Sequence, residues 1–165
     1  MNKTLTIIRH AKSDWPKLIR DFDRPLLERG ISDAQLMGKH MQESNYKFDV
    51  LLCSGAKRAR QTLDMLRTEL IISDNIIKFD DEIYMSSMHF IMHLIENLPS
   101  SANWAAIIGH NPTHTQLCNY LADDDLSNLP TCAVYTISFQ VDDWKAVGYC
   151  AGDCVSYITP KMLKG

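Results

Sequence analysis

The chain has 165 residues, 45% of them apolar and 22% charged, with a formal net charge of -3, the make-up of one ordinary globular domain. That balance gives no basic surface for nucleic acid or anionic lipid, so any anion site must be a local cluster of cations. No apolar stretch approaches the length of a membrane span. The five cysteines are odd in number and scattered, and the first apolar run is too short for a secretory signal; together these predict reduced thiols in a cytoplasmic protein.

In chain order, short β-rich runs occur at residues 4–8, 48–53, 76–79, 104–108, 133–139 and 144–149, with a last short one at 155–158. Helical periodicity fills the gaps between the first four and follows the fourth. Ile31, Ala34, Met37 and Met41 share one face; Ala59, Thr62, Leu66 and Leu70 share another. Ile91, Leu94, Ile95 and Leu98 form a third stripe, and Leu117, Tyr120 and Leu121 a fourth. All four read as core packing against a sheet. Strand-helix alternation predicts an α/β fold, a three-layer sandwich with a mostly parallel, mixed sheet flanked by helices. The runs 133–139 and 144–149, joined through Asp142 and Asp143, read as a closing antiparallel hairpin. With no repeat, linker or low-complexity segment, residues 1–165 form a single domain, and nothing demands more than a monomer.

Three of these strands run into ionisable clusters. Arg9, His10, Ala11, Lys12 and Ser13 follow the first. Ser54, Gly55, Ala56, Lys57 and Arg58 follow the second, and Gly109, His110, Asn111 and Pro112 the fourth. In open α/β sheets such strand ends gather at one edge. Two arginines and two histidines would then converge with no carboxylate in any of the three clusters, and converging cations need an anion to neutralise them. A phosphate dianion serves. Guanidinium groups match its oxygens in pairs and stabilise charge on a transferring phosphoryl group. A neutral imidazole attacks phosphorus in line to give a covalent phosphohistidine. The helix expected to open near Thr113 adds the anion affinity of its N-terminus.

Together these clusters resemble the histidine phosphatase superfamily, also called the phosphoglycerate mutase-like family. Arg9-His10-Ala11 is similar to its Arg-His-Gly signature, with alanine in place of glycine as in the branch of SixA-type phosphohistidine phosphatases. Ser54, Arg58-Ala59 and Gln61-Thr62 resemble its second element, and Gly109-His110-Asn111-Pro112 its second-histidine element. The run from Asp21 to Leu26, with Arg29-Gly30, resembles the SixA-like branch. The resemblance implies His10 as nucleophile, Arg9, Arg58 and His110 as the rest of the phosphate pocket, and no metal or other cofactor. Lys12, Ser13, Asn111 and Arg24 are expected around the substrate, with Arg29 a rim candidate that equally opens the following helix. Arg60 points to a different helix face from Arg58.

Larger family members often carry a glutamate that protonates the leaving oxygen. Here Glu82 is the nearby candidate, in an acidic run that also reads as a solvated turn. An alkoxide leaves poorly without an acid, whereas a phosphohistidine ring departs as neutral imidazole. The expected substrate is therefore a phosphorylated protein, with a small phosphorylated metabolite as the alternative and a non-catalytic phosphate-binding module as a second. A metal hydrolase would have to use His89 with His93 or His110 with His114. His89-Phe90-Ile91-Met92-His93 lacks the glutamate of the zinc-protease motif, and His114 reads as a rim candidate. Cys150 and Cys154 read as flanking a plain turn rather than a metal.

Overall fold

The inner strands of the central sheet alternate their side chains between two buried faces, and that pattern divides the core in two. The computed structural model describes residues 2–165. Its strands are β1 (Lys3–Arg9), β2 (Val50–Ser54), β3 (Ile77–Asp80), β4 (Trp104–Gly109), β5 (Val134–Phe139) and β6 (Gly152–Ile158). Its helices are α1 (Glu28–Glu43), α2 (Lys57–Leu66), α3 (Met88–Glu96), α4 (Thr113–Ala122) and the short α5 (Pro160–Lys164). On one face Leu5, Ile7, Ala105, Ile107, Tyr135 and Ile137 pack with Ile91 and Ile95 of α3 and Leu117 and Leu121 of α4. On the other, Ile8, Leu51, Cys53, Ala106 and Ile108 pack with Met37 and Met41 of α1 and Leu63 and Leu66 of α2. Period two in the strands and period 3.6 in the helices thus meet in three layers.

The strand order is β3-β2-β4-β1-β5-β6. β1, β2, β3 and β4 run parallel, while β5 and β6 are antiparallel additions at one side. The mixed, mostly parallel α/β sandwich expected from the sequence is the fold observed, and the three cluster-bearing strands sit side by side with their C-terminal ends at one edge. No helix is long and apolar enough to cross a membrane among the described residues.

One expectation fails. Residues 144–149 do not form the partner strand of β5; β6 does, and the run expected at 155–158 is only its second half. The reason is local. The Asp143 carboxylate accepts the Lys145 N–H and turns the chain into a 3-10 helix over Trp144–Ala146. Trp144 is driven fully into the core, where its indole N–H donates to the Ala102 carbonyl at 2.8 Å. The residues between the two cysteines are therefore not a turn joining two strands: Cys150 lies in the loop and Cys154 within β6, both free and exposed.

Candidate active site

β1 ends at Arg9, which lies opposite Gly109 in the parallel β1–β4 pairing. The His10 N–H continues that ladder to the Gly109 carbonyl at 3.0 Å, so the sheet itself sets the two histidine-bearing strand ends side by side. β2 ends at Ser54, and α2 carries Arg58 on its first turn. The result is a cavity of about 300 Å³ lined by Arg9, His10, Lys12, Ser13, Arg24, Arg58, His110 and Asn111, with Trp15 and Thr131 at its margin.

His10 is buried, and its Nδ1 lies 2.8 Å from the Ala11 carbonyl. A carbonyl only accepts, so Nδ1 carries the proton and Nε2 presents a lone pair. The Arg58 Nε–H donates to that same Nε2 at 3.3 Å. Burial lowers the His10 pKa to about 3, with Arg58, Arg9 and Arg24 adding repulsion and the Ala11 carbonyl opposing. His10 is therefore a neutral imidazole across the physiological range. His110 lies 5.2 Å away, ring centroid to centroid, and its Nε2 meets Ser54 Oγ at 2.8 Å. Burial first, then His10, Arg58 and His114, lower its pKa to about 2.

The cations are held from behind. Arg58 donates Nη1 to the Asp21 backbone carbonyl at 2.7 Å and Nη2 to the Asp21 carboxylate at 3.1 Å. The same carboxylate accepts from Arg24 Nε at 2.8 Å and from the Tyr84 hydroxyl at 2.6 Å. The Tyr84 bond, then Arg24 and Arg58, hold the Asp21 carboxyl down at about 2, so it is a fixed anion. Arg24 is buried, donates Nη1 to Ser13 Oγ and the Asp14 carbonyl, and stacks 3.5 Å from the Trp15 ring centroid. Arg9 donates Nη1 to the Leu129 carbonyl, while its buried Nε has no partner among the described residues.

All eight residues expected around the phosphate line this cavity, although not in equal roles. The Asn111 amide is already engaged: its Nδ2 donates to Asn128 and Leu129 and its Oδ1 accepts from Thr115, so it braces the wall. Lys12 is exposed at the mouth. Glu82 is exposed and lines neither this cavity nor the groove beside it. It sits on a 3-10 turn whose start is capped by Asp80, which accepts the Glu82 N–H. Arg29 is also outside, its side chain 73% exposed beside Asp33. His114 is not at the rim; it is fully buried beneath Gly109, where an added Cβ would lie 2.6 Å from its ring. His89 and His93 are exposed on α3, and among the described residues no group of three or more His, Cys, Asp or Glu is placed to share a metal ion.

Sequence reasoning missed Asp21 and Tyr84. The three clusters do lack a carboxylate, but the 3-10 turn Asp21–Asp23 brings one in from a distant loop. The i,i+3 spacing of Asp21 and Arg24 was a usable signal for that pair. Tyr84, which follows an acidic run, gave none. Thr62 was visible as a motif letter and as part of a core-packing stripe. Its hydroxyl accepts the Ala11 N–H and donates to the Arg58 carbonyl, tying the loop after His10 to α2.

Residues 5–81 match the histidine phosphatase superfamily (branch 1). The Mycobacterium tuberculosis protein Rv1276c is 35% identical over 115 residues, covering 70% of this chain and 70% of its own. Among solved structures, SixA from Agrobacterium tumefaciens superposes with a TM-score of 0.81 at 25% identity, covering 96% of this chain and 99% of that one. The protein histidine phosphatase SixA complexed with tungstate gives 0.84 at 18% identity, covering 97% and 99%. The chain belongs to the histidine phosphatase superfamily and has the fold of its SixA-type structures.

Proposed function

We propose that this protein is a metal-independent phosphatase in which His10 attacks phosphorus and the substrate is a phosphohistidine carried by another protein. The observation that carries the reading is the state of His10: proton fixed on Nδ1 by the Ala11 carbonyl, Nε2 unprotonated beside Arg58. The Nε2 lone pair forms a bond to phosphorus as the bond to the substrate's ring nitrogen breaks. Those electrons leave with an imidazole that keeps the proton on its other nitrogen and departs neutral. Water then attacks the phosphorylated His10, the P–N electrons return to Nε2, and orthophosphate leaves. Arg9, Arg24 and Arg58 neutralise the phosphoryl oxygens throughout. The pocket suits a tetrahedral oxyanion, the class to which the tungstate of the SixA complex belongs.

The leaving group argues for a phosphoramidate over an alkyl ester. Asp21 is the only carboxylate lining the cavity or its neighbouring groove among the described residues, and it is held ionised. Among the described residues, no carboxylic acid or imidazolium there holds a proton ready for an alkoxide.

The test is turnover of a phosphohistidine-bearing protein beside a panel of phosphate esters, in strong chelator, with His10→Ala as control. Preference for phosphohistidine, lost in the variant together with acid-labile labelling of the enzyme, supports the whole reading. Preference for an alkyl ester keeps His10 as nucleophile and moves the substrate to a small metabolite. Activity surviving in His10→Ala ends the nucleophile assignment.

A further inference from the structure

Beside the phosphoryl cavity lies a second, larger hollow of about 490 Å³. The two share Arg58, His110 and Asn111 as a common wall, so whatever is attached to a bound phosphoryl group has a direct path into this groove. Its character is different. Ile83, Tyr84, Met85, Met88 and Pro112 line it beside the polar Ser86, Ser87, Thr113 and Gln116, with the Tyr84 ring 5.6 Å from that of His110.

The groove's charges are already committed. Arg58 is its only cation, and both terminal nitrogens of its guanidinium bond to Asp21. Asp21 itself is an anion on the same wall. Two helices begin at the border, and part of each N-terminus is already taken. Ser87 accepts the Phe90 N–H at the start of α3. At the start of α4 the His114 and Thr115 N–H groups are taken by the His110 carbonyl and the Asn111 side chain, and Pro112 has none to give. A carboxylate or second phosphate entering here would be desolvated against methionine and tyrosine and would face the Asp21 anion.

We infer that this groove receives the leaving group and selects uncharged, flat or apolar ones, with Tyr84, Met85 and Met88 as specificity determinants that reject anionic leaving groups. The inference rests on the phosphatase reading above and names the chemistry its substrate must have next to phosphorus. An imidazole ring on a polypeptide meets that requirement, and a phosphorylated hydroxy acid or a bisphosphate does not.

A matched pair of probes tests it: phenyl phosphate and 4-carboxyphenyl phosphate, which differ by one remote negative charge on the same scaffold. The expected result is a preference for phenyl phosphate of about tenfold in kcat/KM. Met85→Lys and Met88→Lys, each placing a cation in the groove, should bring the ratio to near one or below. Met85 is 82% exposed, so at least that variant keeps its fold. Inhibition by orthophosphate, read in the same assays, reports the phosphoryl cavity separately. A wild-type ratio near one overturns the inference, as does a ratio that neither lysine moves while orthophosphate still inhibits; both leave the nucleophile reading standing. A ratio that responds only to Trp15→Ala places the leaving group over the opposite rim and also overturns it. Absence of turnover for both probes and for phosphohistidine, with no label on His10, removes the phosphatase reading and the inference with it.

Discussion

Acidifying the empty protein from pH 8 to pH 5 should cost it much of its stability, because three buried histidines refuse a proton that the unfolded chain accepts. His10, His110 and His114 have pKa values lowered from 6.5 to about 3, about 2 and about 4, burial being the largest cause in each. A base whose folded pKa is depressed gives stability that is full above its unfolded pKa and lost as pH falls below 6.5. The loss continues until the folded pKa is reached. Each excluded proton costs about 1.4 kcal/mol per pH unit, hence about 2 kcal/mol per histidine at pH 5 and about 6 kcal/mol for the three. Against a usual domain stability of about 5–15 kcal/mol, that brings the protein close to unfolding. Urea denaturation at several pH values, in phosphate-free buffer, measures the slope directly. His114→Gln should remove about a third of it while leaving both pocket histidines in place. Saturating orthophosphate should flatten the slope by giving the pocket an anion. A stability unchanged between pH 8 and pH 5 would refute the neutral-histidine argument and with it the basis for His10 as a ready nucleophile.

Three substitutions probe the rest of the site. Asp21→Asn removes the anion that positions Arg58, Arg24 and Tyr84. It should lower kcat/KM by about 10–100-fold, yet shift stability by no more than about 1 kcal/mol, because the Asp21 side chain is 42% exposed and screened. Steady-state kinetics with parallel urea titrations checks both halves. Glu82→Gln should leave turnover within about twofold, where loss of a true general acid would cost about 100-fold or more on an alkyl ester. Gly30→Ala reverses the usual gain from replacing glycine in a helix. The new Cβ would lie 2.1 Å from the Lys12 carbonyl oxygen, so a loss of about 1–3 kcal/mol and reduced activity are expected, read by thermal unfolding and assay.

The layers were legible because periodicity is a local property. Ile7 and Ile8, or Ala106 and Ile107, face opposite cores by the geometry of a strand alone, and two arginines and two histidines at three strand ends announce a common edge. The run from Trp144 to Tyr149 misled for the opposite reason. Its alternating apolar residues are compatible with a strand, but the Asp143 cap and a full-sized pocket for the Trp144 indole decide the outcome, and neither has a sequence period. Asp21 and Tyr84 were hidden similarly. They stand 63 residues apart and meet through a 2.6 Å bond, a contact fixed by how two irregular segments pack. The Glu82 expectation followed chain proximity, whereas Tyr84, two residues on, is the side chain that turns toward the site.

The junction at the end of β1 has a consequence for how such a protein can change over time. Arg9 and His10 are held by Gly109 on one side and on the other by Cys132, whose N–H bonds both the Arg9 and the His10 carbonyls. On the proposed mechanism the chemical step is thus written into strand register, where a slip of one residue would turn His10 to the other face. The groove residues Met85 and Met88 belong to a loop and a helix start outside the sheet. If the groove receives the leaving group as proposed, drift there exchanges one leaving group for another while the residues at the strand ends stay intact, so reaction and substrate range become separately heritable traits.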